Sequence, residues 1–490
     1  MLSRRNFIRM KLAQDQPDQE STAVQSAVVV TPELHLLNRI TYGPRPEEVE
    51  RIYEIGYEAF LEEQLNPESI DDAECDAILK TIPILQMERA KVYKLPQKEG
   101  RTHDALVMGM IQRSTHSRRQ LFERVFEFWS DHFNIPADDY SLELVGMFNT
   151  VIRPQTLGSF PKMLQGVTKH PAMLGYLDNA SNSKDGPNEN YARELLELYT
   201  LGVDGGYSEK DVKEAARALT GWTTWDATKS GFIFDMERHD TGEKTVLGHT
   251  MPAERGIDDG YHLLNIVARH ASTAHFLAFK LCRRFVSDSP PQSLVDSTAQ
   301  VWQQNNGQIK PVLRHIFLSE EFKASAGEKF RRPLDFLVGA LRASGAKSHD
   351  YWQYHEMLTD LGQFPYGWHP PNGYPDVAGA WVASGGLLAR WNIAMKLTHG
   401  AYSEQDDFGY GWQTDIRQRV GDPQTVGELV DAVAKQVFGV ELTPEMRNFY
   451  LEYVGDGARN ADAILSLRNV GRKLGTLYGL MLASPQFQWR

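Results

Sequence analysis

The chain of 490 residues contains only two cysteines, Cys75 and Cys282, far apart and in no CxxC spacing. That excludes a disulfide framework and argues against a thiolate zinc site. Cys282, in "FLAFKLCRRFV", falls on a helical pattern and reads as a small buried hydrophobe. No apolar run reaches the ~18 residues that a membrane-crossing helix needs, so no membrane span is expected. A basic surplus is missing too. The 52 lysines and arginines face 64 aspartates and glutamates, a net charge of −12. A surface that grips nucleic-acid phosphates throughout is therefore not expected, and nucleic acid is set aside as a partner. The standard catalytic signatures are also absent. There is no GxSxG, P-loop, GxGxxG or EF-hand, and "HEMLT" at 355 lacks the second histidine of HExxH. Serine-hydrolase, P-loop and Rossmann chemistries lose their sequence basis.

What is present is a helical pattern over most of the chain. Thr31-Pro32 is a helix start, followed by "PEEVERIYEIGYEAFLEEQL" with apolar residues at helical spacing. In "HSRRQLFERVFEFWSDHFNIP", Leu121, Phe122, Val125, Phe126, Trp129 and Phe133 make one broad apolar face. Residues 88–104 are polar and read as a loop. Ser272 is a suitable N-cap for the helix that carries Cys282. Two stretches break the pattern. Residues 222–256, rich in Gly, Thr and aromatics, read as a long loop or small hairpin. Residues 361–381, "LGQFPYGWHPPNGYPDVAGAW", carry four prolines and read as a rigid aromatic loop. The expected fold is mainly α, a large multi-helix globular fold with these two long irregular loops. A helical domain spans 31–490, with a further C-terminal helical subdomain expected from about 423.

The first 30 residues stand apart. Ser3-Arg4-Arg5-Asn6-Phe7 looks like a twin-arginine export motif. A working signal continues into an apolar stretch of ~7–15 residues. Here Arg9 and Lys11 interrupt it, and the chain is polar by Gln14. Three readings stand: a degenerate signal, export assisted by a partner, or chance. The expected address is accordingly cytoplasmic or periplasmic, and residues 1–30 read as a flexible lead-in.

Candidate chemistry lies in three places. In "FWSDHFNIP", His132 falls inside the apolar arc, where a satisfied core histidine is the simpler reading, yet Asp131 and Asn134 beside it could form a polar notch. In "YLDNASNSKDGPNENYARELLELYTLG", Asn179, Asn182, Asn188, Asn190 and Arg193 crowd a loop that enters a helix. Oxygen-rich loops can hold calcium, but Ala180 and Lys184 occupy ligand positions, so a hydrogen-bonded loop is the simpler expectation. A helix capped by Asn188 would run through Leu201 and turn Glu189, Arg193, Glu194 and Glu197 outward, with ion pairs four residues apart. Ser208 with Asp211 forms a capping box for the next helix. Third, His239 and Asp240 sit together in a loop. Arg283-Arg284 and Arg331-Arg332 could bind anions, although a solvated or helix-capping role is the default.

The blocks "FWSDHFNI", "PNENYARELLELYTLGV", "ERHDTGEKTVLG" and "LGQFPYGWHPPNGYP" occur in this order, and with them the chain resembles the bacterial family called domain of unknown function 1800 over roughly residues 32–490. The resemblance implies a mainly helical fold, a frequent twin-arginine signal, and genes often adjacent to a protein of a second family, domain of unknown function 1501. It implies no reaction and no catalytic residue. Two functions follow as expectations. The first is a binding or assembly protein of the bacterial envelope, engaging a partner through Asn188–Glu197 and the 361–381 loop. The second is a metal-assisted hydrolase, with Asp131, His132, Glu194, His239 and Asp240 as base or ligands of a divalent ion, and Asn190 beside them.

Overall fold

A computed structural model describes residues 30–224, 231–348, 350–399, 412–465 and 467–490. The twin-arginine-like motif and part of the middle loop lie outside these residues. Helices dominate the described chain. Its strands are three residues each and pair as two small antiparallel hairpins, Trp222–Thr224 with Phe232–Phe234 and Lys244–Val246 with His249–Met251. The middle region is therefore the hairpin that its Gly, Thr and aromatic content suggested.

Local signals account for many boundaries. Thr31 caps Pro32–Ile40 by accepting the Leu34 N–H, with proline at the first turn. Gly56, at φ 86°, divides the next pattern into Pro46–Ile55 and Tyr57–Leu65. Ser208 and Asp211 form the expected capping box at the start of Glu209–Ala218. Two expectations need correction. Residues 98–104 belong to a long helix, Lys98–His116, whose polar first turns precede an apolar run that is buried from Ala105 on. The helix Ala271–Phe285 is capped by the His270 side chain, two residues before Ser272, whose N–H it accepts.

The core is continuous from Leu34 to Phe487. At its centre lie two helices buried on nearly every side. Gln120–His132 hides not only its apolar arc but also Glu123, Arg124 and Glu127, and every residue of Pro333–Ser344 is buried. Fully burying a large apolar side chain contributes roughly 1.5–3 kcal/mol. Trp129 does so against Phe160, with ring centroids 5.7 Å apart. Charged residues among such neighbours require partners, since an unpaired buried charge is costly. Ser384–His399 packs along Leu467–Ala483, where Gly475 is needed because a Cβ there would lie 2.7 Å from the Thr398 carbonyl oxygen.

The helix after the Asn-rich loop departs most from its expected form. It begins at Asn190, with Glu189 rather than Asn188 at the cap, and after Glu194 it widens into a π-helical stretch, Leu195–Thr200. The wider turn rotates later residues relative to a 3.6-residue helix. Glu194 and Glu197, expected on the solvated face, are buried. Arg193 keeps its pair with Glu189 at 3.1 Å but finds its second carboxylate in Glu209 at 2.7 Å, not in Glu197.

Candidate functional site

The polar notch at the end of Gln120–His132 is real, and it is larger than its sequence suggested. His132 is buried. Its Nε2–H donates to the Tyr199 carbonyl at 3.1 Å, which leaves Nδ1 as an acceptor for the Lys280 ammonium at 2.9 Å. Burial and then the Lys280 charge push His132 well below the usual histidine range, so it stays neutral. Asp131 is 22% exposed and accepts the Tyr374 N–H at 2.9 Å. Burial raises its carboxyl to about 6 against the pull of Arg332, whose guanidinium stands 3.6 Å away. Burial lowers Lys280 to about 8, opposed first by Asp131.

Behind this notch runs a buried ion network. Glu127 meets Arg284 and Arg332, and Asp335 meets Arg124 and, at 2.7 Å, Arg490. Lys329 reaches Asp288 at 2.7 Å and Asp376 at 3.1 Å, while Arg284 approaches Asp376 at 3.5 Å. Five cations (Arg124, Arg284, Lys329, Arg332, Arg490) thus face five carboxylates (Glu127, Asp131, Asp288, Asp335, Asp376), and the charges balance. Burial acts to raise Asp335 and Asp376, but the surrounding cations hold both well below the usual carboxylate range. Arg284 and Arg332 are thus paired within the core and Arg331 donates to the Phe487 and Tyr42 carbonyls, so the solvated role expected of them does not hold, although Arg332 does stand at the cap of Pro333–Ser344. Their partners come from distant parts of the chain: Glu127 lies 205 residues from Arg332. A network of this kind specifies geometry more than it stabilises, because desolvation consumes most of the Coulombic gain.

What it specifies is the aromatic loop 361–381. Asn134 donates from Nδ2 to the Trp368 and Pro370 carbonyls at 2.7 and 2.8 Å. Gly373, at φ 72°, lies so close to Asp131 that a Cβ would stand 2.3 Å from its carbonyl oxygen. Asp288 receives the Ala378 N–H at 2.5 Å, and Trp381 donates to the Pro375 carbonyl at 3.0 Å. The loop then feeds Ser384–His399, a helix apolar on both flanks. Ile393, Ala394 and Leu397 are buried, and Arg390 is buried against Gln488. On the other flank Leu387, Leu388 and Trp391, with Val382 just before them, are exposed, Leu388 by 62%.

The remaining expected site residues are placed elsewhere. Asn179 donates to the Leu219 and Trp222 carbonyls, and Asn182 to Ala216 and Asn179 while accepting the Asn188 N–H. Asn188 caps the Asn190 N–H, and Asn190 reaches Asp178 at 3.4 Å. These side chains pin the loop to the start of the hairpin. Glu194 is buried where its charge acts on Tyr176 and Tyr199, the tyrosine whose carbonyl holds His132. Asp131, His132 and Glu194 therefore belong to one quarter of the molecule. His239 and Asp240 do not share it. His239 is buried against Thr220 and Asp259, and Asp240 is paired with Arg217 at 2.7 Å. Among the described residues no group of three or more His, Cys, Asp or Glu is arranged to hold a metal ion, and both cysteines are free and buried. No described helix is long and apolar enough to cross a membrane.

Sequence reasoning missed Lys280, Glu127, Asp335 and Asp376. A signal for the first was available: a lysine embedded in the otherwise apolar run "FLAFKL" needs a buried partner.

The class is thus a mainly α protein built around a buried ion network. The chain belongs to the family described as protein of unknown function (DUF1800), whose family model matches residues 35–489. No curated protein and no solved structure matches the chain at a significant level.

Proposed function

We propose that this protein is a docking component of the bacterial cell envelope, and that its recognition surface is the 361–381 loop together with the outer flank of Ser384–His399. The observation that carries this reading is the exposed row Val382, Leu387, Leu388 and Trp391 on a helix whose opposite flank is buried. A helix apolar all round is ordinarily covered on all sides, and a contiguous exposed apolar patch marks an interaction site. The loop beside it is held by Asp131, Asn134 and Asp288, so the surface is preorganised. The partner this reading names is a protein of the domain of unknown function 1501 family.

The test is co-expression of the full chain with such a protein from the same genome, followed by co-purification at near-physiological salt. The expected result is a complex that the double substitution Leu388→Glu, Trp391→Glu abolishes while the circular dichroism spectrum and melting temperature are unchanged. A complex indifferent to both substitutions, or no complex with the unsubstituted chain, overturns the reading.

A further inference from the structure

The ion network closes without Lys280. Its five cations each have a carboxylate within the 4.0 Å of an ion pair, and Lys280 has none among the described residues. Among the described residues its hydrogen-bonding partner is a neutral acceptor, Nδ1 of His132, at 2.9 Å. The charged groups around it are known from every side. Asp131 and His132 come from Gln120–His132, Asp376 from the aromatic loop and Arg283 from its own helix, while the Phe276 ring lies 5.5 Å from Nζ. Asp131 acts on it most strongly of the carboxylates, yet from beyond ion-pair distance. Lys280 is half-buried, and Asp131 beside it is partly open.

Arg39 and Arg331, buried cations that likewise lack a carboxylate within ion-pair distance among the described residues, are each held by two or more backbone carbonyls, whereas Lys280 is held by none. A lysine that is partly desolvated, left without a counter-ion and oriented by an imidazole lone pair has the surroundings of a nucleophilic amine. His132 has no second role to play, because the Tyr199 carbonyl fixes its other nitrogen as the donor. It accepts one N–H of Lys280 and so turns the amine lone pair away from the ring.

We infer that Lys280 is a carbonyl-reactive amine that binds small aldehydes or ketones as an imine. The balance is simple. The ammonium gives one proton to solvent, and the free amine attacks the carbonyl carbon. A C–N bond forms and one N–H proton passes to the carbonyl oxygen; with a second proton that oxygen leaves as water, the C–O bond breaks, and the remaining N–H proton returns to the carboxylate as the imine forms. Asp131 is the carboxyl placed to supply the proton for that departure. No oxidant, reductant or further cofactor is consumed. The lowered basicity of Lys280, about 8, is consistent with this role, since its neutral fraction at pH 7 exceeds that of an ordinary lysine on the order of a hundredfold.

The test uses the native full chain, glyoxylate as the aldehyde and cyanoborohydride to reduce any imine, with peptide mass spectrometry to locate the carboxymethyl adduct. At pH 7 and limiting reagent, the adduct is expected on Lys280 at about tenfold or more the occupancy of exposed lysines such as Lys91 and Lys435. Labelling of Lys280 should level off above pH 8, while that of the exposed lysines keeps rising towards pH 10. Lys280→Arg should remove this adduct alone. Should that variant fail to fold, the mapping on the native chain still decides. Adducts spread evenly over exposed lysines, or a Lys280 peptide that stays unmodified, overturn the inference. The result is independent of the docking surface, because the readout requires no partner protein.

Discussion

Two places in this molecule bring together a histidine, a lysine and an aspartate, and they could hardly differ more. In the hairpin region His239, Lys244 and Asp259 are almost wholly buried. Lys244 lies 2.8 Å from Asp259 Oδ2 and also donates to the Gly242 carbonyl at 2.8 Å, and His239 touches Asp259 at 3.3 Å and Thr220 at 2.8 Å. That cluster is charge-complete and sealed. At the end of Gln120–His132 the same three residue types form an open and incomplete set. Lys280 has an imidazole where Lys244 has a carboxylate, and Asp131 spends one oxygen on a backbone N–H and faces solvent in part. Residue types alone do not distinguish a lock from a site. Closure of the charge does.

The comparison breaks most visibly by removing each aspartate. Asp259→Ala removes the nearer carboxylate of the buried Lys244 and leaves it only the longer pair with Asp240 at 3.9 Å, which should cost about 3–5 kcal/mol by urea unfolding. Asp131→Asn should cost less, about 1–2 kcal/mol, because the amide can still accept the Tyr374 N–H and Arg332, 3.6 Å from Asp131, keeps Glu127. Equal losses would show that the two clusters are energetically alike. Next come the contacts that hold the loop over the open site. Gly373→Ala should cost about 1–3 kcal/mol through its positive φ and the clash with Asp131, and should weaken partner binding as well. Asn134→Ala, which frees two carbonyls, should cost about 1–2 kcal/mol in the same assay.

Titration sharpens the contrast further. Asp131 is raised from 3.8 to about 6, so between these values the folded chain holds more of its proton, and this contribution to stability falls as pH rises through the window. Lys280 is lowered from 10.5 to about 8, so the unfolded chain holds more of that proton, and stability rises with pH between about 8 and 10.5. Asp131→Asn should flatten the first slope and Lys280→Met the second. Unchanged pH profiles would show that neither group titrates differently on folding. The smallest expected effect is Leu388→Glu, within about 0.5 kcal/mol of the parent chain, since the side chain already faces water.

How much of this was legible in the sequence depends on how local the cause is. Thr31-Pro32 and the Ser208–Asp211 box act within one turn, and both formed as read. The irregularity of 361–381 was visible in its prolines. The burial of Glu197 was not, because the π-helical stretch Leu195–Thr200 carries no propensity signature and a small change of turn redirects a face, and nothing local marks Glu194, one residue before that stretch, for burial. Nor was the fate of Arg284 and Arg332, whose partners lie on other helices. His132 and Asp131 could be suspected from their neighbours, whereas Lys280 could be weighed only against a census of carboxylates that three dimensions supply. His239 and Asp240, adjacent in sequence, went to different partners, as neighbouring side chains in a loop often do.

The span of the ion network also sets an order of events. Asp335 waits for Arg124, 211 residues before it, and for Arg490, 155 residues after it. Until Arg284, Arg332 and Asp335 are made, Arg124 and Glu127 on Gln120–His132 lack the partners that neutralise them. Closing loops of that length is slow, and chains caught before closure are the ones that aggregate. Completion of this core is therefore expected to follow, not precede, the packing of the helices that carry its separate charges.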